Sequence, residues 1–398
     1  MTESTAAAAN PGRSQASRAR WVKLARKVLP PLLSLAIVAL VFWKFLPQFT
    51  SLSAVWASIK AMTWLELTTL ALLAVWNLAT YWFVMVSTMP GLTYGQAAVV
   101  TQSSTAVSNT VPGGGAIGIG MSYAMYLSWG FSRSRASVSL LISGVWNNFA
   151  KLAMPVLALA LLALQGGPSG GRLVAGLLGV AGLVGAVVLF GMLLHSHEAA
   201  TRLGLVAARV ANALRRPFGR APVHGWERAT TKFRSRTVTL LKARWHWITL
   251  TTLVSHVSLY LVLLLALRHV GIGEDKLGWA EVLAIFAFAR LLTAIPFTPG
   301  GLGVVEFALI TGLSAAGGPR AAVAAAVLVF RALTYVLPIP IGLGTYIFWR
   351  RNQSWRRPPG GAPRTALVAE QVEPPARAAG PAAAPAPTPA PTAASSGG

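Results

Sequence analysis

Cysteine is absent, carboxylates are scarce, and no stretch alternates like a strand. Without Cys there are no disulfides, no thiolate metal sites and no cysteine nucleophile. Ten acidic residues stand against 34 basic ones, and Asp275 is the sole aspartate. Acid–base or metal-assisted chemistry draws on clustered carboxylates or histidines. The six histidines (His195, His197, His224, His246, His256 and His269) are scattered instead. His195 and His197, two residues apart, do not share a helix face. No cofactor and no metal is therefore expected, and an enzyme is disfavoured. The missing alternation excludes a transmembrane barrel.

What remains is apolar. The chain is 54% hydrophobic, only 11% charged, and has a mean hydropathy of +0.59. Runs at 29–46, 172–194 and 247–267 reach the roughly 20 apolar residues that cross a bilayer. The fold class expected is an all-α polytopic membrane protein. Its net charge of +24 is unevenly placed. Six basic residues precede the first run (Arg13 to Lys27), eleven lie between 202 and 244, and Arg350, Arg351, Arg356 and Arg357 follow the last run. Basic loops on one side are what the positive-inside rule requires, so no nucleic-acid partner is expected. The first run ends Trp43-Lys44-Phe45-Leu46-Pro47, with no small-residue cleavage site.

The sequence thus divides into a basic amino-terminal segment (1–27), a transmembrane domain (28–350) with a basic loop at 196–246, and a Pro/Ala-rich tail (351–398). That tail lacks the apolar content to bury a core. The expected location is the inner (cytoplasmic) cell membrane, multi-pass, with both termini cytoplasmic.

Threading from that start takes span 28–46 outward, 64–88 inward, 136–164 outward, 172–195 inward, 247–268 outward and 321–349 inward. Two regions do not fit as simple spans. Residues 94–132 start and end inside, broken at Pro112-Gly113-Gly114. Residues 279–316 start and end outside, broken at Pro299-Gly300-Gly301. The stretch 94–111 carries Gln96, Gln102, Ser103, Ser104 and Asn109 among other polar residues, too many for a lipid-facing span. Both regions read as re-entrant helical hairpins, because broken backbone at membrane depth must be covered by protein or line a wet cavity. The unit span–hairpin–span then occurs twice, at 64–164 and 247–349, in opposite orientations. Pro112 and Pro299 are 187 residues apart, and Arg135 and Arg320 are 185 apart. The two halves read as an inverted-topology repeat, whose glycine-rich breaks point to a transporter-type binding site.

Ionisable residues within spans cost about 2.5–3.5 kcal/mol each on insertion scales, and few occur. Arg331 lies roughly 15 Å into its span at about 1.5 Å per residue. Lys151 lies at similar depth, one turn beyond Asn147 and Asn148. Arg290 and Glu306 flank the second break; they either neutralise each other or form a gating pair. Three cations against one carboxylate call for an anion. The helices that begin after each break add positive dipole ends, and a phosphate headgroup suits such a pocket. Thr101, Thr105, Ser108 and Asn109, spaced by three and four, either line a wet path to it or satisfy backbone in a packed bundle. Gly118 and Gly120 fit close helix packing.

The segments Arg290-Leu291-Leu292-Thr293-Ala294-Ile295-Pro296-Phe297-Thr298-Pro299-Gly300-Gly301-Leu302-Gly303-Val304-Val305-Glu306 and Phe330-Arg331-Ala332-Leu333-Thr334-Tyr335 resemble the lysylphosphatidylglycerol synthase transmembrane family, also called flippase-like. The resemblance covers about residues 25–350 and implies a lipid translocation module of the inner membrane. Larger members carry a carboxy-terminal aminoacyl-transferase domain where this chain has its Pro/Ala-rich tail, so synthase activity is not expected. The first hairpin has Gly115 where the signature has Leu302, and no carboxylate matching Glu306, so the halves are expected to play unequal roles. The function expected is translocation of an anionic phospholipid or lipid-linked headgroup between leaflets. The alternatives are a subunit of a lipid-modifying enzyme and a membrane scaffold for cell-envelope partners. The sequence permits a homo-oligomer.

Overall fold

The computed structural model describes residues 52–111, 113–166, 170–195, 226–293 and 299–357. The expected span 28–46, Pro112, most of the basic loop 196–246, and residues 1–27 and 358–398 lie outside the described residues. Regular structure among the described residues is helical throughout. The helices are α1 (Leu52–Lys60), α2 (Trp64–Thr88), α3 (Tyr94–Thr110), α4 (Gly114–Ser128), α5 (Arg133–Gly166), α6 (Gly170–His195), α7 (Trp226–His269), α8 (Trp279–Leu292), α9 (Val304–Ala315), α10 (Arg320–Arg331) and α11 (Pro338–Arg351).

Local sequence sets the helix starts. Thr63 and Glu66 form a capping box at α2, and Thr93 and Gln96 form another at α3. Four stretches are long and apolar enough to cross a membrane: Trp64–Thr88, Arg133–Gln165, Phe233–His269 and Arg320–Arg351. Large apolar side chains such as Leu72, Trp76, Leu178, Val184, Leu250 and Val257 are exposed, as a lipid-facing surface requires.

Side-chain contacts sort the helix ends onto two faces. Arg135 at the start of α5 donates to the Pro90 carbonyl just after α2. Arg236 reaches Ser132, Arg234 reaches the end of α6, and Trp349 near the end of α11 reaches Ser128. These ends form one basic face. On the opposite face His269, ending α7, contacts Thr69 and Glu66 in the first turns of α2. Arg268 pairs there with Glu274, which also receives the Trp279 N–H at the start of α8. Among the described residues, the spans from 64 to 349 therefore run in the relative directions expected from the sequence.

The packing follows the two halves. Helices α2 and α7, equivalent under the repeat, pack on each other across the centre. The hairpin α3–α4 packs against α11 of the second half, and the hairpin α8–α9 packs against α5 of the first half. This reciprocal exchange is the arrangement an inverted repeat produces. Within lipid, van der Waals packing and small residues draw helices together. A Cβ on Gly342 of α11 would stand 2.2 Å from the Gln102 carbonyl oxygen of α3. A Cβ on Gly118 would stand 2.6 Å from Ser108 Oγ and 2.8 Å from the Ser104 carbonyl oxygen, whereas Gly120 faces open space, so the packing reading holds for Gly118 alone. Ala324, Ala325 and Ala326 are fully buried on α10.

Three features depart from the sequence reading. Helix α7 starts at Trp226, so 226–246 of the expected basic loop is helical and continuous with the span. Helix α1, which the hydrophobic pattern did not reveal, packs against α10. The span 321–349 is interrupted by a π turn at Ala332–Val336. Pro338 has no N–H and crowds the preceding turn, and the widened turn closes through Leu337 N–H to the Ala332 carbonyl at 2.8 Å.

Candidate functional site

Three breaks meet inside the bundle: the hairpin turn before α4, the short 3₁₀ turn Pro299–Gly301, and the π turn after α10. Asn109, one residue from the end of α3, donates from Nδ2 to the Tyr335 carbonyl at 3.0 Å. Tyr335 returns its phenolic O–H to the Asn109 carbonyl at 2.6 Å. Gly300 sits in the left-handed region (φ 57°) against both residues. A Cβ there would lie 2.5 Å from Tyr335 Cε2 and 2.9 Å from Asn109 Oδ1, so only glycine lets the two hairpin tips touch.

Around this junction lies a cavity of about 470 Å³. Arg290, Lys151, Arg331 and Asn147 line it, with Gly113, Gly114, Gly300 and Gly301 from the breaks. Thr101, Thr105, Ser108 and Asn109 of α3 line it too, so the polar face expected from their spacing does point into a cavity. Arg331 is roughly 16 Å from Arg320 along the helix at about 1.5 Å per residue, near the middle of an apolar core about 30 Å thick.

The charges are paired differently from the sequence expectation. Glu306 binds Arg331 rather than Arg290: Arg331 Nε donates to Glu306 Oε1 at 2.5 Å, with side-chain exposures of 9% and 11%. The reason is that α9 begins at Val304, which places Glu306 in its first turn. The carboxylate turns back, accepts the Gly303 N–H at 2.7 Å, and meets α10 on the same side. The Arg331 guanidinium also lies 4.4 Å from the centre of the Tyr335 ring and donates to the Gly300 carbonyl at 3.4 Å. A second expectation changes with it. The amino terminus of α9 is occupied by its own carboxylate, so it does not offer a free positive end to a ligand. At α4 the cap, Gly113, has no side chain to supply and lies at the cavity with Gly114 and Gly115, but the Gly114 N–H is already taken by the Val111 carbonyl at 2.7 Å and the Ala116 N–H by the Gly113 carbonyl at 3.1 Å.

Lys151 and Arg290 remain. Among the described residues neither makes an ion pair, and the buried Arg290 Nε has no hydrogen-bond partner. The cavity therefore holds two uncompensated cations beside one neutralised pair. Asn148 is not part of it: the residue is exposed, and its Nδ2 donates to the Gly144 carbonyl within α5. Pro112 lies outside the described residues, and Glu306 acts on the cavity through Arg331. Metal-ligating clusters of His and acids are absent among the described residues.

Sequence reasoning passed over Asn77, Tyr81 and Thr334, which also line the cavity. Asn77 bridges α2 to α7, donating to Ser258 Oγ at 3.3 Å and the Ser255 carbonyl at 3.4 Å. The signal was available in polar residues placed mid-span in both helices, but each alone reads as a tolerated exception.

No curated protein matches the chain. Residues 32–342 match the family described as Lysylphosphatidylglycerol synthase TM region. That stretch contains both hairpins and every residue lining the cavity, and the chain belongs to the lysylphosphatidylglycerol synthase transmembrane-region family.

Proposed function

We propose that this membrane protein is a lipid translocase: it binds the phosphate of an anionic lipid in the central cavity and passes the headgroup between leaflets without covalent chemistry. One observation carries the reading: Lys151 and Arg290 line a cavity within the bundle, and neither has an ion-pair partner among the described residues. Unpaired charge at that depth is costly, and a resident or passing anion offsets it. Arg supplies a planar fork for phosphate oxygens and Lys a point charge. A cavity of about 470 Å³ is in the size range of small-ligand sites.

In this reading the hairpins are re-entrant, and the two halves rock against each other at the tip junction. In the same reading the basic face is cytoplasmic, as the positive-inside rule favours, both termini are cytoplasmic, and the membrane is the cell membrane. The test uses the full chain in liposomes with a headgroup-intact fluorescent phosphatidylglycerol or phosphatidylcholine. Faster equilibration of the anionic probe is expected. Rates equal to protein-free liposomes for both probes would overturn the proposal.

A further inference from the structure

A separate cavity of about 390 Å³ lies on the basic face, where α2 ends, α5 begins and the basic extension of α7 passes; it shares no lining residue with the central one. Three arginines converge on it: Arg135 from the first turn of α5, and Arg236 and Arg244 from α7. Arg236, Leu240 and Arg244 are spaced by four, so they share the face of α7 that turns to the cavity. Met89, Val138 and Leu240 add an apolar lining beside the charges.

Charge that merely orients the chain does not require this arrangement, because basic side chains serving the positive-inside rule are free to extend into water. These three arginines are half-buried, whereas Lys242 on the same helix is exposed. No acid lines the cavity, and none of the three makes an ion pair among the described residues. Arg135 and Arg236 are near enough to repel each other. Two of them are positioned by neutral acceptors: Arg135 donates to the Pro90 carbonyl, and Arg236 Nη1 donates to Ser132 Oγ at 3.3 Å. A guanidinium has five N–H donors, so each of these bonds leaves others for a ligand. Like charges gathered and partly desolvated cost free energy that a bound anion offsets.

The position of the cavity selects the anion. The apolar run of α7 begins at Trp247, and both Trp245 and Trp247 are exposed. Exposed tryptophans at a span end mark the headgroup level of a bilayer, and Arg244 adjoins them. We infer that this cavity binds the phosphate of an anionic phospholipid in the leaflet at the basic face, as a resident lipid distinct from the one carried. Arg135, Arg236 and Arg244 hold the phosphate oxygens, for which the planar guanidinium is well shaped. Met89, Val138 and Leu240 meet the apolar part of the lipid next to its phosphate. Basic pockets between spans recognise lipid headgroups in this way. The bound lipid ties the extension of α7 to the ends of α2 and α5. This holds whether or not the central cavity carries a lipid.

The experiment is native mass spectrometry of the purified full chain with phosphatidylglycerol, phosphatidylcholine and water-soluble glycerol phosphate as probes. A background of Lys151→Met with Arg290→Met sets the central cavity aside. That background is expected to retain phosphatidylglycerol and to hold phosphatidylcholine more weakly. Adding Arg236→Gln and Arg244→Gln should weaken phosphatidylglycerol at least about tenfold, the worth of one charge-assisted hydrogen bond. The control pair Lys242→Gln and Arg351→Gln removes the same charge from exposed positions outside the cavity, and should leave binding unchanged. The two arginine changes are also made in the otherwise wild-type chain, where they should lower the number of retained phosphatidylglycerols by one. Equal weakening by both pairs, or equal binding of phosphatidylcholine, means diffuse attraction and overturns the site. Glycerol phosphate bound as tightly as the lipid assigns the cavity to a soluble phosphate and overturns the lipid. Loss of all phosphatidylglycerol in the folded background overturns this site and leaves the central one standing, and no phosphatidylglycerol on the wild-type chain overturns both.

Discussion

Replacing Glu306 by Gln isolates the charge in the buried Arg331–Glu306 pair. The amide oxygen can still accept the Gly303 N–H, whose present bond is 2.7 Å, so the α9 cap survives. What is lost is the negative charge 2.5 Å from Arg331 Nε. Removing one member of a buried pair costs about 3–5 kcal/mol, because the other charge is left without compensation. Arg331 keeps the face of Tyr335 at 4.4 Å and the Gly300 carbonyl at 3.4 Å, contacts that hold the cost near the lower end, about 3 kcal/mol. Equilibrium unfolding by SDS titration in mixed micelles reads that cost. The double variant Glu306→Gln with Arg331→Met removes the stranded charge as well, and should recover about 2 kcal/mol of the loss. A single variant costing less than about 1 kcal/mol, or a double variant less stable than the single, would refute the claim that this pair is a buried mutual dependence.

Three further outcomes follow from close helix contacts. Gly300→Ala puts a Cβ 2.5 Å from the Tyr335 ring at a φ of 57°, so the hairpin tips must separate; circular dichroism should show retained helix while lipid translocation falls sharply. Tyr335→Phe deletes the 2.6 Å bond to the Asn109 carbonyl and leaves that oxygen buried, at an expected cost of about 1–3 kcal/mol in the same SDS titration. Gly342→Ala drives a methyl to within 2.2 Å of the Gln102 carbonyl oxygen, and a loss of about 1–3 kcal/mol or more is expected where α11 crosses α3.

The span pattern was legible in the sequence because lipid demands long apolar helices, and proline and glycine mark where they break. The two breaks, the opposed halves and the depth of Lys151, Arg290 and Arg331 all came from that constraint. Pairing did not. Arg290 and Glu306 are equidistant enough from the break to suggest a partnership, yet the exact start of α9 decides which way Glu306 points, and helix starts are poorly fixed by composition. The π turn was hidden for a related reason: Pro338 signals a disruption, but several local geometries relieve it. Thr252, Ser255 and His256 were passed over because they sit in a strongly apolar run, and only packing shows that they line a cavity with residues of α3 and α5. Helix α1 is too short for periodicity to reveal.

The central claim is that Lys151 and Arg290, which have no ion-pair partner among the described residues, hold the phosphate that is carried. Lys151→Met with Arg290→Met removes both charges at nearly constant volume and spares the Arg331–Glu306 pair. The rate of fluorescent phosphatidylglycerol flipping, measured in liposomes with this variant confirmed folded, is expected to drop to the protein-free background. A wild-type rate from the folded double variant would contradict it.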